Sequence, residues 1–170
     1  TRILTQDFLD EFNIKTIFYN PHDLITLESS ITKKTKLIFV VLPGSNTFDF
    51  QDHGKIIKIA KKYKILTAID NTWGTPYYLK PIKLGFDMSI VSATKYYSGH
   101  SDVMGGSLAV NKKVFKKVKE AEKITGLICL IPILFKLELS SPSTVSFFCC
   151  YFSCKGPPIG LVCVMTTSSN

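Results

Sequence analysis

The sequence predicts a three-layer α/β sandwich, in which helices cover a mostly parallel sheet. Near-continuous apolar runs such as "TKLIFVVLP" (residues 35–43) are typical of strands that are buried on both faces of a parallel sheet. Between these runs lie segments with apolar residues at helical spacing, such as "HGKIIKIAKKYK" (residues 53–64). Because the two kinds of segment alternate along the chain, they predict strand–helix–strand units.

Each element is predicted from its apolar spacing and from the residues at its ends. Thr5 and Asn111 precede helical patterns, and both residue types are favoured as N-caps. In chain order we expect a helix over 6–12, a strand over 15–20, a helix over 23–31, a strand over 35–43, a helix over 53–64, strands over 65–70, 88–93 and 105–110, and a helix over 111–124.

Composition and charge restrict the classes of partner. The chain has 170 residues, is 45% hydrophobic and carries a net charge of +8, so it can bury a core. Arg2 is the only arginine, whereas base-edge recognition in DNA relies on bidentate arginine. The lysine pairs fall at helical spacing and indicate solvated helix faces. Because arginine is scarce and the lysines suit helix faces, we expect no nucleic-acid partner. No signal peptide and no apolar run of about 18 residues is visible, so we expect no membrane partner.

The composition changes near residue 126. Residues 127–170 contain all five cysteines but only three charged side chains, so we divide the chain into a domain over 1–126 and a tail over 127–170. The tail could be a membrane-associated end, a cysteine-based site or a stretch unrelated to the fold before it. Its apolar runs are short, and it lacks histidine and paired C-x-x-C spacing. We favour a frameshifted or degenerate end, and the start at Thr1 suggests a fragment.

Two polar residues lie at the ends of predicted strands. In parallel sheets the ligand binds beyond the carboxyl ends of the strands, where Asp70 ends "ILTAID" and Lys95 follows "MSIVSA". Singly, Asp70 could cap a turn and Lys95 could be a surface lysine. Together they suit an aldehyde cofactor such as pyridoxal 5'-phosphate (PLP), because an amine bonds to the aldehyde and an acid keeps the pyridine nitrogen protonated. Ser92 and Thr94 could donate to its phosphate.

His100 and Asp102 form a further polar pair in the stretch "GHSD". They could serve as metal ligands or as an acid–base pair. No third ligand lies close in the sequence, and zinc sites need three or four protein ligands. We therefore expect a conformationally fixed loop and no metal.

The residues 70–106, "DNTWGTPYYLKPIKLGFDMSIVSATKYYSGHSDVMGG", resemble the cofactor segment of the PLP-dependent transsulfuration enzymes of cysteine and methionine metabolism. The resemblance runs from Thr1 to about residue 124. It implies that Lys95 bonds covalently to PLP, that Asp70 faces the pyridine nitrogen, and that Ser92 and Thr94 contact the phosphate. Through the stretch "PGSNTF" it places Ser45 near the ring hydroxyl or the substrate.

The resemblance also implies the large domain of fold type I, a cytoplasmic homotetramer, and β-elimination from cystathionine to give homocysteine, pyruvate and ammonia. The chain starts after the family's glycine-rich phosphate loop and its ring-stacking tyrosine. Nothing in residues 127–170 resembles the family's C-terminal domain, whose arginine binds the substrate carboxylate. The alternative is therefore a catalytically inactive remnant that keeps the cofactor lysine. A weaker third hypothesis is a basic binding protein with a hydrophobic tail.

Overall fold

The computed structural model describes residues 4–45, 47–100, 102, 104–125 and 148–152. The chain divides into two compact units, which meet in sequence between Ile69 and Asp70. Most of the predicted tail, residues 127–147 and 153–170, lies outside the described residues. The boundary at residue 126 therefore stays a prediction.

Among its described residues, the first unit contains helical turns, two helices and two strands. A π-helical segment over Leu4–Phe8 and a 3-10 turn over Asp10–Phe12 precede the helix α1. The later elements are α1 (Leu24–Ser29), β1 (Leu37–Val41), α2 (His53–Tyr63) and β2 (Leu66–Asp70), whose last residue opens the second unit.

The β1–α2–β2 segment forms the core of the first unit. The Asp52 carboxylate caps α2 by accepting from the Lys55 N–H at 3.0 Å. The apolar run of β1 and the inner face of α2 are buried, as are most residues of β2. The N–H of Leu66, the first residue of β2, donates to the carbonyl of Lys36, which precedes β1, at 3.2 Å. The helix α2 connects the two strands, and a helical crossover of this kind is the usual connection between parallel strands. Burial of these side chains stabilises the layer, since buried apolar area is the main favourable term in folding.

The second unit contains an antiparallel arrangement of strands. Its elements are α3 (Thr75–Tyr78), α4 (Pro81–Leu84), β3 (Met88–Ser92), β4 (Met104–Val110), α5 (Lys112–Thr125) and β5 (Phe148–Phe152). Strand β4 pairs antiparallel with β3 on one side and with β5 on the other, in the order β3-β4-β5. In the β3–β4 ladder Ser92 lies opposite Gly106.

The start of α5 is fixed by side-chain hydrogen bonds. Asn111 accepts from the Val114 N–H at 3.2 Å, and its side-chain amide donates to Asp87 at 2.8 Å. Asp87 is 8% exposed and also lies 3.6 Å from the Lys113 amine. Asn111 thus caps the helix, as predicted, and holds it against the residue that precedes β3.

The α/β class is confirmed, and the strands β1 to β4 and the helices α1, α2 and α5 fall where the apolar spacing predicts them. Two local predictions are wrong. Residues 15–20 do not form a strand: Ile17 and Phe18 are about half exposed, and no ladder pairs them. Thr5 does not cap a regular helix over 6–12, because it lies inside the π-helical segment and is buried. In the first case strand propensity alone is not sufficient, because a strand also needs a partner in a ladder.

Candidate active site

Asp70 is the last residue of β2 and is partly buried. Its Oδ1 accepts a hydrogen bond from the Thr72 N–H at 2.9 Å, which is the short-range bond that aspartate commonly makes in turns. Its Oδ2 makes no hydrogen bond with any described residue. One carboxylate oxygen therefore shapes the turn, and the other remains available to an external donor.

Thr72 connects the turn after β2 to the end of β3. Its hydroxyl oxygen accepts from the Ser92 N–H at 2.8 Å, while its own N–H donates to Asp70. Thr72 therefore couples the position of Asp70 to that of Ser92, which lies three residues before Lys95. The structure thus brings together two segments that are separated by about twenty residues in sequence.

Lys95 lies in a tight turn that follows β3. Its N–H donates to the Ser92 carbonyl at 3.1 Å, and its carbonyl accepts from the Gly99 N–H at 3.1 Å. Gly99 has a φ of 66°, a left-handed conformation that glycine adopts without strain. The Lys95 side chain is exposed, and its amine makes no ion pair or hydrogen bond with a described residue. The turn is fixed while the amine remains accessible.

The two hydroxyl residues predicted to contact phosphate have different surroundings. The Thr94 hydroxyl donates to the Gly105 carbonyl at 3.2 Å and accepts from the Gly105 N–H at 2.9 Å, which ties the turn to β4. The Ser92 hydroxyl makes no hydrogen bond within the described part of the chain and is partly exposed. Ser92 is therefore the better placed of the two to bind an anion.

Ser45 belongs to the first unit. It follows a cis peptide bond between Leu42 and Pro43, lies in a turn and is exposed. Its predicted place near the cofactor ring stays a prediction.

The loop after Lys95 is held by hydrogen bonds within itself. The Ser98 hydroxyl donates to the Thr94 carbonyl at 2.8 Å, and Nδ1 of His100 lies 2.6 Å from the Ser98 carbonyl. These contacts agree with the expected structural loop. In the described part of the chain no group of three or more His, Cys, Asp and Glu is arranged to hold a metal ion, and no helix has the length and apolar character needed to cross a membrane.

Sequence reasoning missed Thr72 and Asn71. Both occur in "DNTW", where Asn and Thr after Asp indicate ordinary turn chemistry. Their partners, Ser92 and Leu79, are 20 and 8 residues away. The sequence carries no signal for those pairings, since hydrogen bonds between separate segments depend on the fold.

The comparison with known families decides the class. A family described as Cys/Met metabolism PLP-dependent enzyme matches residues 1–134. The chain belongs to this family. The cofactor of the family is PLP, as the lysine, the acid and the hydroxyl residues predict.

Individual relatives differ in the reaction that they are named for. The chain is 36% identical over 126 residues to an L-alanine/L-glutamate racemase of Wolbachia pipientis, covering 74% of this chain and 31% of that protein. It is 38% identical over 104 residues to a cystathionine beta-lyase of Coxiella burnetii, covering 60% of this chain and 27% of that protein. The chain spans about a third of the length of the curated relatives it matches.

A solved structure agrees with the fold. The structure is that of cystathionine gamma-lyase from Lactobacillus plantarum in complex with L-serine, to which this chain is 34% identical with a TM-score of 0.68. The superposition covers 74% of this chain and 33% of the solved chain. The predicted fold type I of PLP-dependent enzymes is thereby confirmed. In the second unit of this chain β4 runs antiparallel to both of its neighbours.

The described residues fit PLP chemically. An accessible amine at Lys95 can bond to an aldehyde, and a carboxylate oxygen of Asp70 without a partner among the described residues can accept from a pyridinium N–H. The Ser92 hydroxyl and nearby backbone N–H groups are suitable donors to a phosphate.

Proposed function

We propose that this chain carries the lysine-bearing part of a PLP-dependent carbon–sulfur lyase that performs β-elimination on cystathionine. The products are homocysteine, pyruvate and ammonia, and one water molecule is consumed. The observation that carries the proposal is the bridge through Thr72, which couples the carboxylate of Asp70 to the strand end that leads to Lys95. The relative from Coxiella burnetii that is named for this reaction supports the choice of substrate.

Lys95 has two roles in the proposed reaction. Its amine would hold the cofactor covalently at the aldehyde carbon, and it would be free once the substrate is bound there. The freed Lys95 amine takes the proton from the substrate α-carbon as a general base. The Cβ–S bond breaks with its electron pair on sulfur, and the resulting thiolate takes a proton, which the Lys95 ammonium can return, before it leaves as the thiol. The bound cofactor supplies an electron-accepting ring next to the α-carbon.

Asp70 and Ser92 orient the cofactor in this proposal. The carboxylate of Asp70 keeps the pyridine nitrogen protonated, which strengthens the electron-accepting character of the ring. The Ser92 hydroxyl donates a hydrogen bond to the phosphate. Thr94 holds the turn after Ser92 in place through its two hydrogen bonds with Gly105. Ser45 contributes a hydroxyl near the ring or the substrate. Assembly into a homotetramer and a cytoplasmic location are further predictions from the family.

The test combines cofactor binding with turnover. The recombinant chain is mixed with PLP, its visible absorption is recorded, and pyruvate release from cystathionine is measured with a coupled assay. Lys95→Ala is compared with Lys117→Ala, an exposed lysine on α5 that has no ion pair with a described residue. We expect the shifted absorption and the pyruvate release in the wild type and in Lys117→Ala, and neither in Lys95→Ala.

The outcomes separate the two hypotheses for this chain. Pyruvate release by Lys95→Ala would contradict the role of the lysine. Cofactor binding without pyruvate release in the wild type would favour the inactive remnant. Release of pyruvate from a different sulfur amino acid, but not from cystathionine, would keep the reaction class and correct the substrate.

A further inference from the structure

Asn71 is the most constrained residue next to the candidate site. Its side chain is fully buried, at 0% exposure. Its N–H donates to the Ile90 carbonyl of β3 at 2.7 Å, and its carbonyl accepts from the Thr75 N–H at 2.9 Å. Its side-chain amide donates to the Leu79 carbonyl at 3.1 Å. Asn71 thus contacts β3 and both ends of the short helix α3.

The residues around α3 have little freedom to rearrange. A Cβ at Gly74 would lie 2.7 Å from Oδ1 of Asn71 and 3.2 Å from Cβ of Leu79, so only glycine fits there without a shift. Thr75 has a φ of 55°, a left-handed conformation that is strained for a β-branched residue. Such a conformation persists only where its surroundings enforce it, and the bond from Thr75 N–H to the Asn71 carbonyl is one such constraint.

Asn71 retains its amide at a cost. Its Oδ1 is buried and has no hydrogen-bond partner among the described residues. A buried polar atom without a partner is unfavourable, and an apolar residue at this position would avoid that penalty. An apolar residue could not donate a hydrogen bond to the Leu79 carbonyl, as Nδ2 of Asn71 does. This bond links the start of the segment from Asp70 to Leu79 to its end.

We propose that Asn71, together with Gly74, is a positioning residue that sets the place of the Asp70 carboxylate relative to Lys95. Asn71 lies between Asp70, whose carboxylate would face the pyridine nitrogen, and Thr72, which binds the end of β3. By fixing the main chain against Ile90 and Leu79, it holds both neighbours in register with the turn that carries Lys95. The effect of Asn71 on the reaction rests on the proposed function, whereas its effect on the position of Asp70 depends only on contacts within the chain.

The first test uses no cofactor. Amide hydrogen exchange is measured by NMR for Thr72 and Ser92, which report the bonds to Asp70 and to Thr72, and for Asn111, whose N–H donates to Asp87 outside this segment. In Asn71→Ala, which lacks the amide donor, protection at Thr72 and Ser92 falls by about tenfold, since one lost hydrogen bond shifts an opening equilibrium by about that factor. Protection at Asn111 stays unchanged.

A double-mutant cycle tests the pairing with Gly74. Gly74→Ala alone lowers protection at Thr72, because the new methyl group displaces Oδ1 of Asn71. In the Asn71→Ala background the same change lowers protection less, since that oxygen is absent. Equal effects in both backgrounds would overturn the pairing.

A cofactor measurement then separates positioning from plain stability. In the proposal, Asn71→Ala shifts the pH at which the visible absorption of lysine-bound PLP changes, because Asp70 no longer faces the ring nitrogen correctly. Unchanged protection at Thr72 and Ser92, an equal loss at Asn111, or an unshifted absorption midpoint would each overturn the proposal. If the wild type binds no PLP, the proposed function fails, and the exchange data alone decide whether Asn71 positions Asp70.

Discussion

The N–H of Ser92 donates to the hydroxyl oxygen of Thr72 at 2.8 Å, and the N–H of Thr72 donates in turn to the carboxylate of Asp70 at 2.9 Å. These two bonds run from the end of β3 to the end of β2. They connect the residue predicted to face the cofactor ring with the strand that presents Lys95. The candidate site therefore depends on one threonine that has no place in the proposed chemistry.

Thr72→Val tests this connection. Valine has nearly the same shape but cannot accept from the Ser92 N–H, and a partly buried donor without a partner costs about 1–3 kcal/mol. We expect the free energy of unfolding to fall by that amount in urea titrations and the affinity for PLP to fall with it. Thr72→Ser keeps the hydroxyl and should behave like the wild type within about 0.5 kcal/mol. Equal stability of all three proteins would show that the bond is absent in solution.

Ser92 and Thr94 should respond differently to loss of their hydroxyls. Ser92→Ala removes a group that has no hydrogen bond within the described residues, so its stability should change by less than about 0.5 kcal/mol while PLP binds more weakly. Thr94→Val breaks the contacts with Gly105 and should destabilise the protein by about 1–3 kcal/mol. Urea titration and PLP titration of both variants give the comparison. A stability loss in Ser92→Ala as large as that in Thr94→Val would argue against the division of roles.

Asp70→Asn should separate cofactor attachment from catalysis. The amide cannot keep the pyridine nitrogen protonated, but Lys95 is unaltered, so PLP should still bond covalently. Pyruvate release should fall by at least about tenfold, the factor that corresponds to about 1.4 kcal/mol of lost charge stabilisation. Absorption spectra and the coupled pyruvate assay measure the two effects. Wild-type turnover in this variant would remove Asp70 from the site.

The pH dependence of stability should reflect a cluster between α1 and α2. Hydrogen bonds from Lys62 and Tyr63 hold the pKa of Glu28 below its ordinary value of 4.5, and the bond to Glu28 raises the pKa of Lys62 above 10.5. The contribution of Glu28 is therefore present above pH 4.5 and lost as the pH falls through its folded pKa. That of Lys62 is present below pH 10.5 and lost as the pH rises through its folded pKa.

Glu28→Gln should make the loss of stability on acidification shallower, and Lys62→Met should do the same on the alkaline side. Both effects should be small, because Lys62 is exposed, Glu28 is partly exposed, and salt screens the pair. Urea midpoints measured across the pH range test this, with Glu11→Gln as an exposed control in the same unit. The acid limb should not become flat, since the pKa of Asp52 is also lowered, by its bonds to Lys55. An identical acid limb in Glu28→Gln and wild type would contradict the assignment.

The sequence was informative where structure depends on local pattern. The apolar run 37–41 correctly predicted β1, and Asn111 correctly predicted the start of α5. Both features depend on the types of only a few neighbouring residues. The prediction from sequence was wrong for residues 15–20, where two adjacent apolar side chains suggested a strand. No strand forms there in the structure. The four-residue helices α3 and α4 were also missed, since so short a helix has no period to detect.

The site shows the same division. Asp70 and Lys95 could be proposed from the sequence because Asp70 ends one recognisable strand, Lys95 closely follows another, and the family motif contains both. Thr72 and Asn71 could not, because their importance lies in bonds to Ser92, Ile90 and Leu79 that only the folded chain creates. The residues proposed to perform chemistry belong to a motif, whereas those proposed to position them are identified by their contacts.

The most direct test of the account is to trap the cofactor on the chain. The protein is mixed with PLP, reduced with borohydride so that any lysine–cofactor bond becomes permanent, digested and mapped by mass spectrometry. We predict that the pyridoxyl mass is found on the peptide containing Lys95 at an equimolar ratio, and that Lys95→Ala abolishes it. Label distributed over the many exposed lysines, with Lys95 no more modified than Lys117, would contradict the central claim.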